Sequence, residues 1–330
     1  MNLRVIKAGV LDTIQDMGRY KWQHLGINPC GAMDKWSAQL ANVLAGNNRM
    51  DAVIELHFPA SEFFFEQPAL IAITGADFTA NLNGEEISCG QPVLVSRYSI
   101  LQFYRLKKGA RAYLAVHGGF NIPRWLNSFS THLKASAGGY KGRALQKDDE
   151  IGIHSLAPEL SALTDKKEYQ ILPWKTETNW NDSDDTIIEV LPGNEWSRLT
   201  QPSQEKFCNQ SLRITPQSDR MGYRLTGEKL LSQTDEEVVS SAVNFGTLQL
   251  LPDGQLIVLM ADHQTTGGYP RIAHVITAHH SALAQKKPGD HIHFRLTDHQ
   301  KAEDLLQKQE QHLQQVQNAC IFRLQEYCKR

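Results

Sequence analysis

Two features of the sequence predict a mainly β protein with inserted helices. Short apolar runs rich in β-branched and aromatic residues recur along the chain and are separated by turn residues. These runs are not joined by regular helical patterns of about 10 to 15 residues, which disfavours a doubly wound parallel sheet and favours barrels or sandwiches. The predicted strands are 69–74, 92–96, 100–104, 112–116, 187–191 and 256–260.

Two segments of the chain have helical patterns. A helix is predicted over residues 34–45, because Asp34 is a suitable N-cap, an apolar stripe follows, and Gly46 can end it. The stripe consists of Trp36, Leu40, Val43 and Leu44. Residues 298–330 are rich in Gln, Glu and Lys, with apolar residues at roughly helical spacing. We expect this terminal segment to be an amphipathic helix that packs on the body or on a partner.

The domain organisation follows from length and composition. With 330 residues and 41% hydrophobic content, the chain can form about two domains. Residues 166–185 are polar and poor in aliphatic side chains, as is typical of a linker. Residues 143–153 resemble residues 284–294, so an internal duplication is the hypothesis and chance similarity the alternative. The predicted boundaries are 1–168 for a first β-barrel subdomain, 169–186 for the linker, 187–297 for a second β-barrel subdomain and 298–330 for the helical segment.

Charge and hydropathy disfavour several partner classes. The 34 basic and 36 acidic residues give a formal net charge of -2, and no basic stripe of the kind that binds nucleic acid occurs. No window approaches the roughly 18 apolar residues that a membrane span needs, and the first residues do not resemble a secretion signal. We therefore expect a cytoplasmic protein that binds a small molecule or another protein.

Cysteine and histidine spacing indicates neither disulfides nor a metal site. The five cysteines are scattered and never form a Cys-x-x-Cys pair, so reduced thiols are expected. The pairs His279/His280 and His291/His293 lack a third ligand at recognisable spacing. Neither a phosphate-binding loop nor a Met-Lys dipeptide of the biotin-carrying type occurs. ATP or biotin, if used, is therefore expected to be held elsewhere.

The segment 262–270 is the most informative candidate site. It places hydroxyls, an amide, two glycines and a tyrosine directly after the predicted strand 256–260. Gly267 and Gly268 are expected to turn through positive φ, so that successive N–H groups converge on an anion or carbonyl oxygen while Thr265 and Thr266 add hydroxyls. The alternative is a tight turn whose threonines satisfy their own backbone.

Two further clusters carry charged groups beside a glycine. In residues 13–19, Asp16 and Arg19 bracket Gly18, and such a pair either braces the loop or binds a substrate carboxylate. In residues 218–225, Arg220 and Arg224 follow Asp219. On an extended strand these arginines would share a face and could hold a carboxylate or phosphoryl group, whereas the alternative is a surface salt-bridge cluster.

Two more regions belong to the predicted site. Cys30 stands just before the N-terminus of the helix over 34–45, where exposed amides favour an anion, but no histidine is placed to act as its base, so an inert thiol is expected. Residues 117–143 are rich in glycine and hydroxyls and too long to be one turn, and loops of this length usually have a function.

These clusters, in this order, resemble the biotin-dependent carboxyltransferase-like family. That family includes the C subunit of 5-oxoprolinase, the kinase-inhibitor antagonist homologue and half of the carboxyltransferase region of urea carboxylase. The resemblance covers about residues 3–297 and implies cyclophilin-like β-barrel subdomains. It rests on Gly9 to Arg19, Gly31-Ala32-Met33-Asp34, Ala41-Asn42, Thr74-Gly75-Ala76-Asp77, Tyr113 to Gly119, Ser218 to Leu225 and Gln264 to Pro270.

The resemblance implies a component of an ATP-dependent 5-oxoprolinase that acts with the B and A subunits of that enzyme. No biotin on this chain and no metal are expected. The alternatives are a regulatory partner of a kinase-inhibitor-like protein, and a carboxyltransferase that uses a biotin carrier in trans. The implied substrate-binding residues are Gln15, Arg19, Arg220, Arg224, Gln264, Gly267, Gly268 and Tyr269, and the implied catalytic residues are Asp16 or Asp219 as general base with Thr265 and Thr266 as oxyanion donors.

The sequence departs from the family pattern at three places. Residues 127–132 read Asn-Ser-Phe-Ser-Thr-His where Gly-Ser-Arg-Ser-Thr-Asp is usual, which puts direct ligand contacts by this loop in doubt. Cys30 stands where a serine is common, and Leu256 replaces a frequent proline.

Overall fold

The computed structural model describes residues 2–156, 160, 169–178, 186–234 and 238–327. Its strands and helices fall into two compact units. The first unit comprises Met1–Gly18, Asp34–Trp180 and Glu310–Arg330, and the second comprises Arg19–Met33 and Asn181–Gln309. Of the predicted linker, residues 179–185 lie outside the described residues, as do residues 166–168 of the polar stretch that suggested it.

The first unit is built from two six-stranded sheets. One sheet has the order β11-β1-β4-β9-β6-β7 and the other the order β12-β8-β5-β10-β3-β2. The strands are β1 (Asn2–Lys7), β2 (Thr13–Gln15), β3 (Val53–His57), β4 (Glu62–Phe65), β5 (Ala69–Asp77), β6 (Ala80–Leu82), β7 (Glu85–Glu86), β8 (Val93–Val95), β9 (Ile100–Phe103), β10 (Lys108–Val116), β11 (Glu150–Gly152) and β12 (Tyr169–Ile171).

Alternating side chains of both sheets form the core of the first unit. On β1, Leu3 and Val5 are buried while their neighbours are partly exposed, which is the period-2 pattern of a strand with one face on a core. They pack in one cluster with Phe63 of β4 and with Ile71 and Leu114 of the other sheet. The apolar runs predicted as strands therefore supply the core directly.

Helix α1 (Lys35–Leu44) lies where the sequence predicts a helix. Asp34 is its N-cap, and its carboxylate accepts a hydrogen bond from the Ser37 backbone N–H at 3.0 Å. The predicted apolar stripe is buried. The helix packs on β5 and β10, the two longest strands of the first unit.

The second unit is organised around a closed barrel with the order β13-β20-β17-β18-β15-β14-β21. All pairs in it are antiparallel except β13 with β21. Strands β16 and β19 form a separate two-stranded sheet. The strands are β13 (Ile187–Pro192), β14 (Leu212–Ile214), β15 (Gly222–Thr226), β16 (Ser241–Ala242), β17 (Thr247–Leu250), β18 (Leu256–Leu259), β19 (Thr266–Gly267), β20 (Arg271–Val275) and β21 (His291–Leu296).

Few helices accompany the barrel. They are α2 (Gln201–Asn209), α3 (His280–Ala284), the start of α4 (His299–Tyr327) and the 3-10 helices Tyr20–Leu25, Trp196–Arg198 and Thr277–His279. The α2 side chain of Phe207 stacks on Phe294 of β21 with ring centroids 5.2 Å apart, so this helix closes one side of the second core. Helix α4 is 29 residues long but polar, and none of the described helices is long and apolar enough to cross a membrane.

The predicted mainly β fold with inserted helices and a C-terminal helix is confirmed. All six predicted strands are present, as β5, β8, β9, β10, β13 and β18. The terminal helix begins at His299, and Lys301 in its first turn donates to the buried Glu189 carboxylate at 2.7 Å. The closed barrel is that of the second unit, while the strands of the first unit are divided between its two sheets.

The two similar segments, 143–153 and 284–294, form the same turn. In the first, the Asp149 carboxylate accepts from the Gln146 N–H at 2.7 Å, and Asp148 has a φ of 69°. In the second, the Asp290 carboxylate accepts from the Lys287 N–H at 3.0 Å. Each turn leads into a strand, β11 or β21, and the local resemblance therefore extends from sequence to hydrogen bonding.

Candidate functional site

A buried ion pair joins the beginning of β15 to the end of β18. Arg220 precedes β15, Asp262 follows β18, and the two strands are paired. The Arg220 guanidinium donates to both Asp262 carboxylate oxygens, from Nε and Nη2, at 3.0 Å each. The Asp262 backbone N–H in turn donates to the Arg220 carbonyl at 2.8 Å. This two-pronged geometry fixes the planes of both side chains.

The same pair holds the segment before α1. Arg220 Nη2 donates to the Gly31 carbonyl at 2.7 Å, and the Asn28 side chain donates to the Asp262 carbonyl at 2.8 Å. Cys30 and Gly31 both have positive φ, 55° and 100°. For Cys30 this conformation costs free energy, so the surrounding contacts must maintain it.

Cys30 belongs to this cluster but is not suited to be a nucleophile. Its side chain is buried, and burial together with the Asp262 carboxylate raises the pKa of the thiol to about 12. The positive charges of Arg19 and Arg220 oppose this shift only in part. The thiol is therefore protonated at neutral pH, in agreement with the inert thiol expected from the sequence. Arg19 is also buried here, and its backbone N–H donates to the Pro29 carbonyl at 2.8 Å.

Gly267 and Gly268, in the loop after β18, do not have the backbone conformation that the sequence predicts. Neither Gly267 nor Gly268 has positive φ, because Gly267 lies in β19, which pairs with β16 in extended conformation. The expectation of a left-handed turn at these residues was wrong. Glycine is needed at 267 for space instead, since an added Cβ would lie 2.5 Å from Nε2 of the buried Gln249.

The other groups of this loop lie at or near the surface. Thr266 and Tyr269 are exposed, while Gln264 and Thr265 are half-buried. The Thr265 carbonyl accepts from the Val243 N–H at 3.2 Å, and the Tyr269 carbonyl accepts from Gln249 Nε2 at 3.4 Å. Within the described residues, neither the Thr265 nor the Thr266 hydroxyl donates a hydrogen bond to the backbone of this loop. Hydrogen bonds to backbone carbonyls therefore hold the loop, and the two hydroxyls stay available to a ligand.

Arg220 and Arg224 do not share a face. Strand β15 begins only at Gly222, so Arg220 lies in the preceding turn and is buried, whereas Arg224 lies on the strand with its side chain exposed. Asp219 is exposed and stabilises this turn, since its carboxylate accepts from the Met221 N–H at 2.7 Å and the Gly222 N–H at 3.2 Å. The expected paired arginine clamp is therefore absent, and the reason is the position at which the strand starts.

A second polar cluster lies in the first unit around Asp16. Its carboxylate accepts hydrogen bonds from the Gly18 N–H at 2.8 Å, the Ser128 hydroxyl at 2.7 Å and the Phe129 N–H at 2.6 Å, and also from the Ser130 hydroxyl. Asp16 therefore holds the loop over residues 127–131 against the end of β2. With these donors in place, a base role for Asp16 requires a rearrangement of the loop.

Phe129, which stands where the family usually has an arginine, still donates a hydrogen bond to the Asp16 carboxylate. Its contribution to the Asp16 cluster is a backbone N–H, which any residue except proline can supply. The Arg124 guanidinium lies over the Phe129 ring, 4.7 Å from its centroid. A guanidinium is thus present beside the position at which the family usually has an arginine.

Gln15 and Lys35 complete the polar cluster of the first unit. Gln15 lies on β2 with no exposed surface, and its Nε2 donates to the Thr13 hydroxyl at 3.0 Å and to the Thr131 carbonyl at 3.5 Å. Lys35 is partly buried at the first position of α1. Burial lowers the pKa of Lys35 to about 8, and the Asp16 carboxylate opposes this shift.

Two functional candidates, Lys35 and Asn28, were not predicted from the sequence, and Asp262 was predicted only as part of the segment 262–270. Lys35 directly follows the Asp34 N-cap, which was the available signal for an anion-binding position at a helix start. The partnership of Asp262 with Arg220 had no signal, because the two residues are 42 positions apart. Among the described residues, no group of three His, Cys, Asp or Glu side chains is placed to hold a metal ion.

Comparison with known proteins identifies the family. The family model described as "Carboxyltransferase domain, subdomain A and B" matches residues 25–296. The chain belongs to this carboxyltransferase-domain family. Within the family, it is 36% identical over 307 residues to the C subunit of 5-oxoprolinase from Haemophilus influenzae, a match that covers 92% of this chain and 94% of that protein. It is 35% identical to the C subunit of 5-oxoprolinase from Escherichia coli, covering 95% and 97% of the two chains.

Two of the solved structures that match are larger enzymes, of which this chain matches a part. Urea amidolyase from Kluyveromyces lactis superposes with a TM-score of 0.86 at 26% identity, covering 96% of this carboxyltransferase-family chain and 20% of that protein. The urea carboxylase of the same organism matches with the same score and covers 29% of that chain. This chain therefore spans between a fifth and a third of those enzymes.

The close contact at Gly267 yields a stability prediction. We expect Gly267→Ala to lower the free energy of unfolding by about 1 to 3 kcal/mol, because the added methyl group must displace the buried Gln249 side chain. Gly268→Ala is the matched control: its Cβ would lie 3.2 Å from the Ser240 hydroxyl, and we expect a change below about 0.5 kcal/mol. Urea denaturation measures both, and equal effects of the two variants would contradict the account.

Proposed function

We propose that this chain is the C subunit of an ATP-dependent 5-oxoprolinase, which opens 5-oxo-L-proline to L-glutamate together with its B and A subunits. The proposal is carried by the extent of the match to the two proteins named as the C component of 5-oxoprolinase. Their identity of 35% to 36% runs over nearly the full length of both partners. A match over the full length of both proteins supports a shared role more strongly than a match to one domain of a larger enzyme does.

The urea carboxylase relatives support the alternative of carboxyl transfer. They share the domain, but this chain covers 18% of the yeast urea amidolyase that it matches at 29% identity. No biotin-carrying Met-Lys dipeptide occurs in the 330 residues. Carboxyl transfer by this chain would therefore require a biotin carrier on another protein.

The proposed reaction explains why ATP is needed. Amide resonance makes the carbonyl carbon of the lactam a poor electrophile. Transfer of the terminal phosphoryl group of ATP to the lactam oxygen gives ADP and an activated ring carbon. Water then attacks this carbon, the ring C–N bond breaks, and the nitrogen leaves as the amine of the product. Hydrolysis of the remaining acyl phosphate releases phosphate and glutamate.

The second unit offers groups for the charges of this reaction. We propose that Arg224, which is exposed on β15, and Arg19 bind the substrate carboxylate or phosphoryl oxygens. Arg220 acts by positioning, since it donates to Asp262 and to the Gly31 carbonyl. The exposed Thr266 hydroxyl and the half-buried Thr265 hydroxyl are the proposed donors to the developing oxyanion. Gln264 and Tyr269 of the same loop are proposed to bind the substrate.

The proposed general base is Asp16 or Asp219. Asp219 is exposed and keeps one carboxylate oxygen outside the turn that it stabilises, since both backbone donors contact the same oxygen, Oδ1. Asp16 is buried among donors of its own loop. The geometry of the described residues therefore favours Asp219 over Asp16 for contact with an incoming water.

Reconstitution tests the function. This chain is purified with the homologue of the B subunit, the A subunit is added, and ATP-dependent release of glutamate from 5-oxoproline is measured with each component omitted in turn. We expect glutamate only when all components are present. Release of glutamate without this chain would contradict the proposal, and a stable complex that carboxylates a substrate only with a biotin carrier would support the alternative.

A charge substitution on β15 tests the proposed substrate contact. We expect Arg224→Ala to lower kcat/KM for 5-oxoproline by about 10- to 100-fold, because it removes a charge-assisted hydrogen bond. Arg213→Ala is the matched control, since Arg213 is also exposed and lies on the neighbouring strand β14. We expect it to change kcat/KM by less than about 2-fold. Equal kinetics of the two variants and the wild-type complex would remove Arg224 from the site.

A further inference from the structure

We infer that the loop over residues 19–29 is the docking surface for a protein partner that presents an apolar pocket edged by carboxylates. This anchored loop lies wholly in the second unit, and its tip is the 3-10 helix Tyr20–Leu25. The inference adds a partner surface to the chain, and it rests on the proposed function only for the choice of the proteins used in the test.

Hydrogen bonds hold both ends of the anchored loop. The Arg19 backbone N–H donates to the Pro29 carbonyl at 2.8 Å, which closes the loop at its base. The Asn28 side chain donates to the Asp262 carbonyl, and Asp262 is fixed by the buried ion pair with Arg220. The tip is therefore presented from a base that is tied to the barrel, so less conformational entropy is lost on binding than with a flexible loop.

The tip has a defined backbone conformation of its own. Gly26 follows the 3-10 helix with a φ of 76°, and its N–H donates to the Gln23 carbonyl at 2.9 Å. The Ile27 N–H donates to the Trp22 carbonyl at 3.4 Å. A Cβ added at Gly26 would meet no atom within 4 Å, so this turn borders open space and glycine is required for its positive φ.

The apolar side chains of the anchored loop are exposed or half-buried. Tyr20 is 50% exposed and Leu25 is 61% exposed, while Trp22 and Ile27 are half-buried. None of the four is among the described residues that form the barrel core or pack on it. Apolar residues of a surface helix normally face the core, and Trp and Tyr are enriched where proteins bind each other. These four side chains therefore form an apolar surface that a partner can cover.

The charges of the anchored loop specify the partner further. Residues 17–33 contain no Asp or Glu, whereas Lys21 and His24 are exposed at the tip. Arg19 is buried at the base of the loop. An apolar surface that carries cations and no carboxylate of its own is complementary to an apolar pocket with carboxylates at its edge.

A protein pocket fits these features better than a membrane surface does. Stable membrane binding needs more than one weak anchor, and a single short loop with one lysine provides only one. The whole chain has a formal net charge of -2, which gives it no overall attraction to an anionic membrane. In the urea carboxylase of Kluyveromyces lactis, the matching region is 29% of the chain, so further protein accompanies this domain there.

The test measures, by biolayer interferometry, the affinity of the full chain for the homologues of the B and A subunits. We expect Tyr20→Ser combined with Leu25→Ser to weaken binding of one of these subunits at least about 10-fold, because two exposed apolar anchors are lost. Lys21→Glu should weaken the same binding by about 10-fold at low salt and by less at high salt, since it places a carboxylate against those of the partner.

Matched substitutions outside the loop control for general effects. Tyr104→Ser combined with Leu231→Ser removes side chains of the same types, which are 57% and 63% exposed, and it should leave both affinities within about 2-fold of wild type. Lys308→Glu reverses the charge of an exposed lysine on α4 and is the control for Lys21→Glu. Urea denaturation shows whether each variant is folded.

The single charge reversal keeps the inference testable if the double variant does not fold. Wild-type affinity of Lys21→Glu for both subunits at low salt then overturns the docking surface. A loss of binding by the tip variants that is confined to vesicles of phosphatidylcholine and phosphatidylglycerol, or to self-association of the chain, also overturns it.

The remaining outcomes separate the inference from the proposed function. A wild-type mixture that releases glutamate, with tip variants that bind both subunits normally, overturns the docking surface alone. Binding that depends on the tip, without release of glutamate, supports the docking surface and contradicts the proposed function. A wild-type chain that binds neither subunit and supports no release of glutamate overturns both.

Discussion

The buried ion pair between Arg220 and Asp262 joins three parts of the second unit that are distant in sequence. It connects the turn before β15, the residues after β18 and, through the Gly31 carbonyl, a segment 189 positions away from Arg220. A charge that is taken out of water must be fully hydrogen-bonded, and here each carboxylate oxygen of Asp262 has a guanidinium donor. The positive φ of Cys30 and the start of the loop with Thr265 both depend on this pair.

Most of the fold was predictable from the sequence because it follows local rules. The six apolar runs became strands, and Asp34 with its apolar stripe became α1. The site was less predictable because its contacts are long-range. Gly267 illustrates the difference: a glycine in a Gly-Gly pair is most simply explained by positive φ, but here the close approach of Gln249 is what excludes a side chain. Likewise, the separation of Arg220 from Arg224 depends on where β15 begins, which propensities determine only to within a few residues.

The two units differ in the kinds of polar group that they contain. The second unit has charged groups and hydroxyls at its surface, including Arg224 and Thr266. The first unit has a buried network around Asp16 and Gln15 in which hydroxyls and backbone groups hold an amide in one orientation. Surface charges such as Arg224 suit the recognition of carboxylate and phosphoryl oxygens. The buried hydrogen bonds of the Asp16 cluster instead hold the loop over residues 127–131 in one conformation.

A double-mutant cycle on Arg220 and Asp262 tests the central claim, that this pair holds the segments of the second unit together. The unfolding free energies of wild type, Arg220→Met, Asp262→Leu and the double variant are measured by urea denaturation. We expect each single substitution to lower the unfolding free energy by about 3 to 5 kcal/mol, because it leaves a buried charge without its partner. We expect the double variant to lower it by much less than the sum of the two single effects. Single effects below about 1 kcal/mol, or additive effects, would contradict it.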